Sequence, residues 1–234
     1  MSENETILSG GRTTRAVVRV GDTVRRPPSP NAEFVRSLLN HLEFSGFDGA
    51  PRYLGADEGG REMFSYLPGT VPAELGDHDD KTLEAAARLI QAYHDATASL
   101  FVTHSAHRVG IEVACHNDLS PCNAVFREGR PVAFIDFDAA APGSRSYDLG
   151  YAAWLWLDLG NEDRSAQEQV RRLGVFLAAY RAGPSEAQVF GAVIERQSIL
   201  TAEGARTGNS AMSRWAADCR EWTVRHMLAA AGKI

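Results

Sequence analysis

The side chains best suited to chemistry lie in one stretch, residues 115 to 138, which reads CHNDLSPCNAVFREGRPVAFIDFD. His116 and Asp118 form an H-x-D pair, Asn123 follows Asp118 after four residues, and Asp136 sits in an apolar run beyond a short polar break. Phosphoryl transfer asks for little covalent work and much positioning: a carboxylate at the attacking hydroxyl, and hard oxygen ligands holding magnesium on the phosphates. Asp118 suits the first need, and Asn123 and Asp136 suit the second. The order H-x-D, four residues, Asn, hairpin, Asp is also the layout of a kinase catalytic loop. Asp118 and His116 are therefore the candidate catalytic residues, with Asn123 and Asp136 as candidate metal ligands.

Local pattern supplies the elements that must position them. Ala124 to Arg127 and Pro131 to Ile135 predict two short strands joined across Glu128-Gly129-Arg130, which would return Asp136 to Asn123. Upstream, Glu5 to Arg26 predicts strands and turns, with Gly10-Gly11 and Gly21-Asp22 at turn positions. Ser29-Pro30 predicts a helix start, with Phe34, Leu38 and Leu42 as the buried stripe. Two more strands, over Arg52 to Gly55 and Glu62 to Tyr66, flank the turn Asp57 to Gly60. A helix from Asp79 or Asp80 to Phe101 places Leu83, Ala87, Ile90, His94 and Thr97 on one face, making His94 a hydrogen-bonded core residue. Ser165 with Glu168, and Ser185 with Gln188, have capping-box spacing. A last helix from about Ser210 carries Trp215, Cys219, Trp222 and His226 as core.

The segments HNDLSPCN, IDFD and SYDLGYAAW resemble the aminoglycoside phosphotransferase and choline kinase-like small-molecule kinases, including a trifolitoxin-immunity-like branch. The resemblance runs through most of residues 5 to 160. It implies an α+β, two-lobed protein-kinase-like fold, with a small antiparallel-sheet N-lobe over residues 1–70 and a mainly helical C-lobe over 71–234. It further implies Mg2+-dependent transfer of the γ-phosphate of ATP or GTP to a hydroxyl of a small molecule, aminoglycoside-like antibiotics among the acceptors. Asp118 would be the base, Asn123 and Asp136 the metal ligands, and Asp148 the brace beneath the loop. Gly10 and Gly11 would form a flap over the nucleotide, and backbone groups at Ser65, Tyr66 and Leu67 would hold adenine.

The family's phosphate-gripping lysine is replaced, since the third strand reads Thr23-Val24-Arg25-Arg26. Adjacent side chains on a strand face opposite ways, so one arginine points inward; Arg25 is slightly favoured over Arg26. Glu33 is either the carboxylate that pairs with that cation or a first-turn residue favoured by the helix dipole. Asp138 either reaches a second metal or holds the turn, and Arg145 either contacts substrate or braces the loop. The missing lysine also motivates an alternative from another class, a kinase-like binding or immunity protein that sequesters a toxin or metabolite without phosphorylating it.

Bulk properties bound the rest. A net charge of −6 argues against a nucleic-acid partner. No apolar run reaches membrane-spanning length, and the start of the chain has no signal-peptide pattern, so a soluble cytoplasmic protein, monomeric or weakly dimeric, is expected. Three cysteines without metal-site spacing predict reduced thiols. Asp148 follows Asp136 too closely for a peptide-binding activation segment, which favours a small acceptor. The acidic set Glu74, Asp77, Asp79 and Asp80 is either a solvated loop and helix start or an attraction for a cationic substrate.

Overall fold

The computed structural model describes residues 5–8, 17–101, 110–181 and 183–227. Strands β1 (Glu5–Ile7), β2 (Val18–Val20), β3 (Thr23–Arg26), β4 (Tyr53–Ala56) and β5 (Glu62–Ser65) form an antiparallel sheet in the order β1-β2-β3-β5-β4. Val20 pairs with Thr23 across Gly21-Asp22, where Gly21 adopts a φ of 60° that a two-residue hairpin turn requires.

Helix α1 (Ala32–Phe44) connects β3 to β4 and buries Val35, Leu38, Leu39 and Leu42. The expected stripe is corrected here: Phe34 is only half-buried. Residues spaced strictly by four drift around a helix of 3.6 residues per turn, whereas 35, 38, 39 and 42 stay on one face. Asn31 occupies the N-cap position without capping. Its amide instead donates to the carbonyls of Asp138 and Ala140, at 3.1 and 2.9 Å.

The larger lobe comprises α2 (Asp80–Ala98), β6 (Val113–Cys115), β7 (Ala124–Arg127), β8 (Arg130–Phe134), β9 (Ala141–Gly143), α3 (Arg145–Leu157), α4 (Ala166–Tyr180), α5 (Glu186–Thr207) and α6 (Ser210–Trp222). β7 and β8 form the antiparallel hairpin, and β6 pairs with β9. Asp79 caps α2 by accepting from the Thr82 amide, Ser165 caps α4 and the Ser185–Gln188 box closes at α5.

Helix α3 is the core of this lobe. Leu149 and the run from Ala152 to Leu157 are buried, as a helix enclosed by neighbours requires. It meets α5 at Gly150, where a Cβ would come within 2.6 Å of Ala192. Cys219 and Trp222 of α6 are buried, but Trp215 is exposed and lies flat on Trp154 at 4.8 Å, and His226 is exposed, so only half of the expected α6 core exists.

The lobes join through Thr70, which exchanges backbone hydrogen bonds with Phe126 of β7 at 3.0 and 2.7 Å. Gly69 makes the approach possible, because a Cβ there would lie 2.6 Å from the Phe126 carbonyl oxygen. No described helix is long and apolar enough to cross a membrane.

Candidate active site

The loop after β6 is hung from one carboxylate. Asp148, fully buried on α3, accepts the amide of His116 on Oδ2 and that of Asn117 on Oδ1, each at 2.8 Å. His94 of α2 approaches the same Oδ2 with Nε2 at 3.0 Å. Burial opposes the charge of Asp148, but the hydrogen bond and charge of His94, the nearby His116 ring and the His116 amide outweigh it and hold the pKa below the ordinary Asp value. Asn117 then takes a φ of 66°, a left-handed conformation that Asn tolerates better than most residues, and the chain turns to present Asp118.

His116 turns its ring to the backbone of its own loop and of the hairpin. Its ring is fully buried, with Nδ1 accepting from the Asp118 amide at 3.3 Å and Nε2 donating to the Ile135 carbonyl at 3.1 Å. Both nitrogens are committed to backbone, which assigns the tautomer and makes His116 a positioning residue. His116, expected among the catalytic residues, is thus placed with both ring nitrogens on backbone groups.

Both oxygens of Asp118 are oriented by side chains. Asn123 donates to Oδ2 at 2.7 Å and the Tyr151 hydroxyl to Oδ1 at 3.0 Å. The same Asn123 amide nitrogen also meets the Asp118 carbonyl at 3.0 Å. Its Oδ1 consequently has no donor among the described residues, while its backbone carbonyl accepts from Ile135 at 2.9 Å and brings Asp136 alongside. Burial and the neighbouring Asp138 raise the pKa of Asp136, and Arg26 offsets this only partly, so a bound cation would relieve the site.

This donor set fits magnesium. One amide oxygen and one carboxylate are hard ligands, and magnesium keeps water and phosphate oxygens as its remaining ligands. Among the described residues no group of three or more His, Cys, Asp or Glu is arranged to hold a metal.

The cation over the acidic pair is Arg26. Its guanidinium meets both oxygens of Asp138, at 2.7 and 2.5 Å, and Asp136 at 3.6 Å. Arg25 points to the other face, where it meets Asp57 at 3.8 Å. The preference for Arg25 is thus reversed. Register is the reason: Arg26 pairs with Glu62, and Val24 with Phe64, so Arg26 shares the face on which Phe64 enters the core with α1.

Glu33 is exposed and is not among the carboxylates that Arg26 reaches. The first-turn alternative matches this placement. The buried carboxylate on the Arg26 face is Glu62, which is taken by Arg36 at 2.7 Å.

At the hinge, the Ser65 amide donates to Arg52 and the Tyr66 amide to Asp22, at 2.9 and 2.8 Å. Those two N–H groups are occupied, and Leu67 is the hinge residue whose N–H has no acceptor among the described residues. Gly10 and Gly11 lie outside the described residues. Arg145 braces: it meets Asp95 at 2.8 Å and the Tyr180 hydroxyl at 3.3 Å, and that hydroxyl bonds His94 at 2.7 Å.

Three site residues escape the sequence motifs. Tyr151 lies one helical turn beyond Asp148 on α3, and that spacing is its sequence signal. Asn31 and Arg196 have no local signal; Arg196 donates to the Asn117 carbonyl at 2.6 Å from 79 residues away. The acidic loop is largely neutralised, Asp77 by Arg164 at 2.7 Å, Asp79 by Arg130 at 3.1 Å and Asp80 by Arg171 at 2.8 Å. A cavity of about 580 Å³ between Glu74–Asp77 and Asp158–Arg164 includes no catalytic-loop residue.

Residues 97–190 match the model of the phosphotransferase enzyme family. The chain is 34% identical over 174 residues to the trifolitoxin immunity protein of Rhizobium leguminosarum bv. trifolii, covering 70% of this chain and 66% of that protein. It thus spans just under two thirds of the length of that relative. Among solved structures, a choline/ethanolamine kinase family protein from Mesorhizobium loti superposes with a TM-score of 0.65 at 16% identity, covering 97% of this chain and 93% of that one. The gentamicin complex of APH(2")-IIa superposes with a TM-score of 0.59 at 14% identity, covering 93% and 90%. These likenesses establish the two-lobed protein-kinase-like fold. Sequence match, fold and the catalytic-loop motif together make residues 97–190 of this chain similar to the phosphotransferase enzyme family.

Proposed function

We propose that the protein transfers the γ-phosphate of ATP or GTP to a hydroxyl of a small molecule in a magnesium-dependent reaction. The observation that carries this is the orientation of Asp118 by Asn123 and Tyr151, with Asp136 drawn alongside by the bond between Ile135 and Asn123. The acceptor oxygen attacks the γ-phosphorus, the bond from that phosphorus to the β–γ bridging oxygen breaks, and the nucleoside diphosphate departs with the bonding electrons. The hydroxyl proton passes to Asp118. Because the transition state is loose, holding the hydroxyl in line matters more than strong deprotonation.

Asn123 Oδ1 and the Asp136 carboxylate would hold magnesium, which neutralises and orients the phosphate oxygens. Arg26 supplies the cation for the phosphates, and arginine keeps its charge and can grip them in bidentate fashion. The free backbone near Leu67 takes the nucleotide's base. The N-lobe is assigned to residues 1–70 and the C-lobe to 71–234. With α3 beginning at Arg145, only a short segment follows Asp136, which suits a small acceptor rather than a peptide.

Calorimetric titration with ATP and with GTP, with and without magnesium, tests this. Magnesium-dependent binding that Asp136→Asn weakens is expected, followed by nucleotide consumption in a screen of alcohols that includes aminoglycosides. A folded sample that takes neither nucleotide yet holds a toxin or metabolite would instead make the protein a sequestering relative of the immunity protein.

A further inference from the structure

The catalytic loop is bordered by a cation that the transfer chemistry leaves unused. The guanidinium carbon of Arg196 lies 4.2 Å from the ring centre of Tyr151 and 4.7 Å from that of Tyr147. Its Nη2 donates to the carbonyl of Asn117, the residue before Asp118. Tyr151 is the residue whose hydroxyl holds Asp118 at 3.0 Å, so Arg196 borders the catalytic carboxylate through two of its neighbours.

Arginine in this protein is mostly neutralised: Arg26, Arg130, Arg145, Arg164 and Arg171 all meet carboxylates. Among the described arginines without an ion pair, Arg127, Arg181, Arg214 and Arg220 are exposed, whereas Arg196 is half-buried. With tyrosine rings beside its guanidinium and one N–H spent on Asn117, it retains in-plane donors beside the catalytic loop. Such an edge matches the two oxygens of a carboxylate, and partial burial strengthens the attraction.

We propose that the acceptor is a hydroxy acid, an alcohol whose carboxylate is held by Arg196 while its hydroxyl lies at Asp118. The proposal deepens the phosphotransferase function above and rests on it. A neutral alcohol leaves the Arg196 donors unpaired, and an ammonium group placed there is repelled, so the same residue attracts one class and rejects another. The acidic loop does not counter this, since Arg130, Arg164 and Arg171 already neutralise Asp79, Asp77 and Asp80.

The test measures kcat/KM with magnesium and nucleotide for 3-hydroxybutyrate, its neutral analogue 1,3-butanediol, and choline, on the parent, Arg196→Met and Arg196→Lys. The carboxylate is expected to lead the neutral alcohol by at least about tenfold, with choline last. Arg196→Met should collapse that ratio mainly through KM, and Arg196→Lys should restore part of it. Equal use of all three acceptors, preference for choline, or an equal kcat loss on every acceptor in Arg196→Met would overturn the proposal, the last by making Arg196 only an anchor of the loop. If no acceptor turns over, calorimetry of 3-hydroxybutyrate against the parent and Arg196→Met separates the two claims. Binding lost in the variant keeps the carboxylate site while removing phosphotransfer, and no binding to the parent removes the site.

Discussion

Arg26 holds both carboxylate oxygens of Asp138 although 112 positions separate them in the chain. The pair ties the third strand of the small lobe to the loop beside Asp136, and Asn31 reinforces it with two bonds to the same loop. The cation is therefore held from the opposite lobe rather than by Glu33 on α1. If Arg26 grips phosphate as proposed, incoming phosphate would compete with Asp138 for it, which would couple nucleotide binding to the contact between lobes.

Two variants should move nucleotide affinity in opposite directions. Arg26→Met removes a charged phosphate contact and is expected to weaken magnesium–nucleotide binding by about tenfold or more. Asp138→Asn removes the competitor and should leave affinity equal or tighter. Calorimetry on both decides; an unchanged affinity in Arg26→Met takes Arg26 out of the phosphate site.

Tyr151→Phe deletes one hydrogen bond to a charged carboxylate, worth about 1.5–3 kcal/mol, and should lower kcat by roughly tenfold or more while leaving nucleotide affinity alone. Asp118→Asn should cost about 100-fold or more in kcat, the scale of a lost general base. Steady-state kinetics with varied nucleotide separates the two quantities, and full turnover in Asp118→Asn would assign the base elsewhere.

The raised pKa of Asp136 makes it a burden on the nucleotide-free fold. A carboxyl whose folded pKa lies above its unfolded value contributes stability that is present below about pH 3.8 and is lost as pH rises through the folded value. Asp136→Asn does not carry that burden at pH 7, so urea denaturation should find the variant as stable as the parent or more so, with the difference shrinking in acid. A marked loss of stability at pH 7 would mean that the contact with Arg26 outweighs burial.

Asp148 has the opposite sign. Its depressed pKa contributes stability present above the unfolded value, near 3.8, and lost as pH falls through the lower folded value. Asp148→Asn cannot accept on both sides and leaves a buried donor unpaired, for an expected cost of about 3–5 kcal/mol in denaturant unfolding at pH 7. Its acid unfolding should also be less steep than the parent's below pH 4. A variant as stable as the parent would show that water replaces the carboxylate.

The sequence by itself determined what depends on neighbours in the chain. The β7–β8 hairpin, the caps at Asp79, Ser165 and Ser185, and the apolar face of α2 all follow from turn chemistry, short-range hydrogen bonding and periodicity. The grouping of Asp118, Asn123 and Asp136 was legible for the same reason, because one hairpin closes the distance between them.

Only the tertiary structure decided contacts that cross the chain. Which of Arg25 and Arg26 faces the acidic pair depends on the pairing of β3 with β5, since a one-residue change of register exchanges the two faces. That His116 turns both nitrogens to backbone, that Asn31 serves Asp138 and Ala140 instead of its own helix, and that Arg196 arrives beside Asn117 are outcomes of packing between elements distant in sequence. A side chain's type sets what it is able to bond; the partner that reaches it is set by how the lobes and helices close around it.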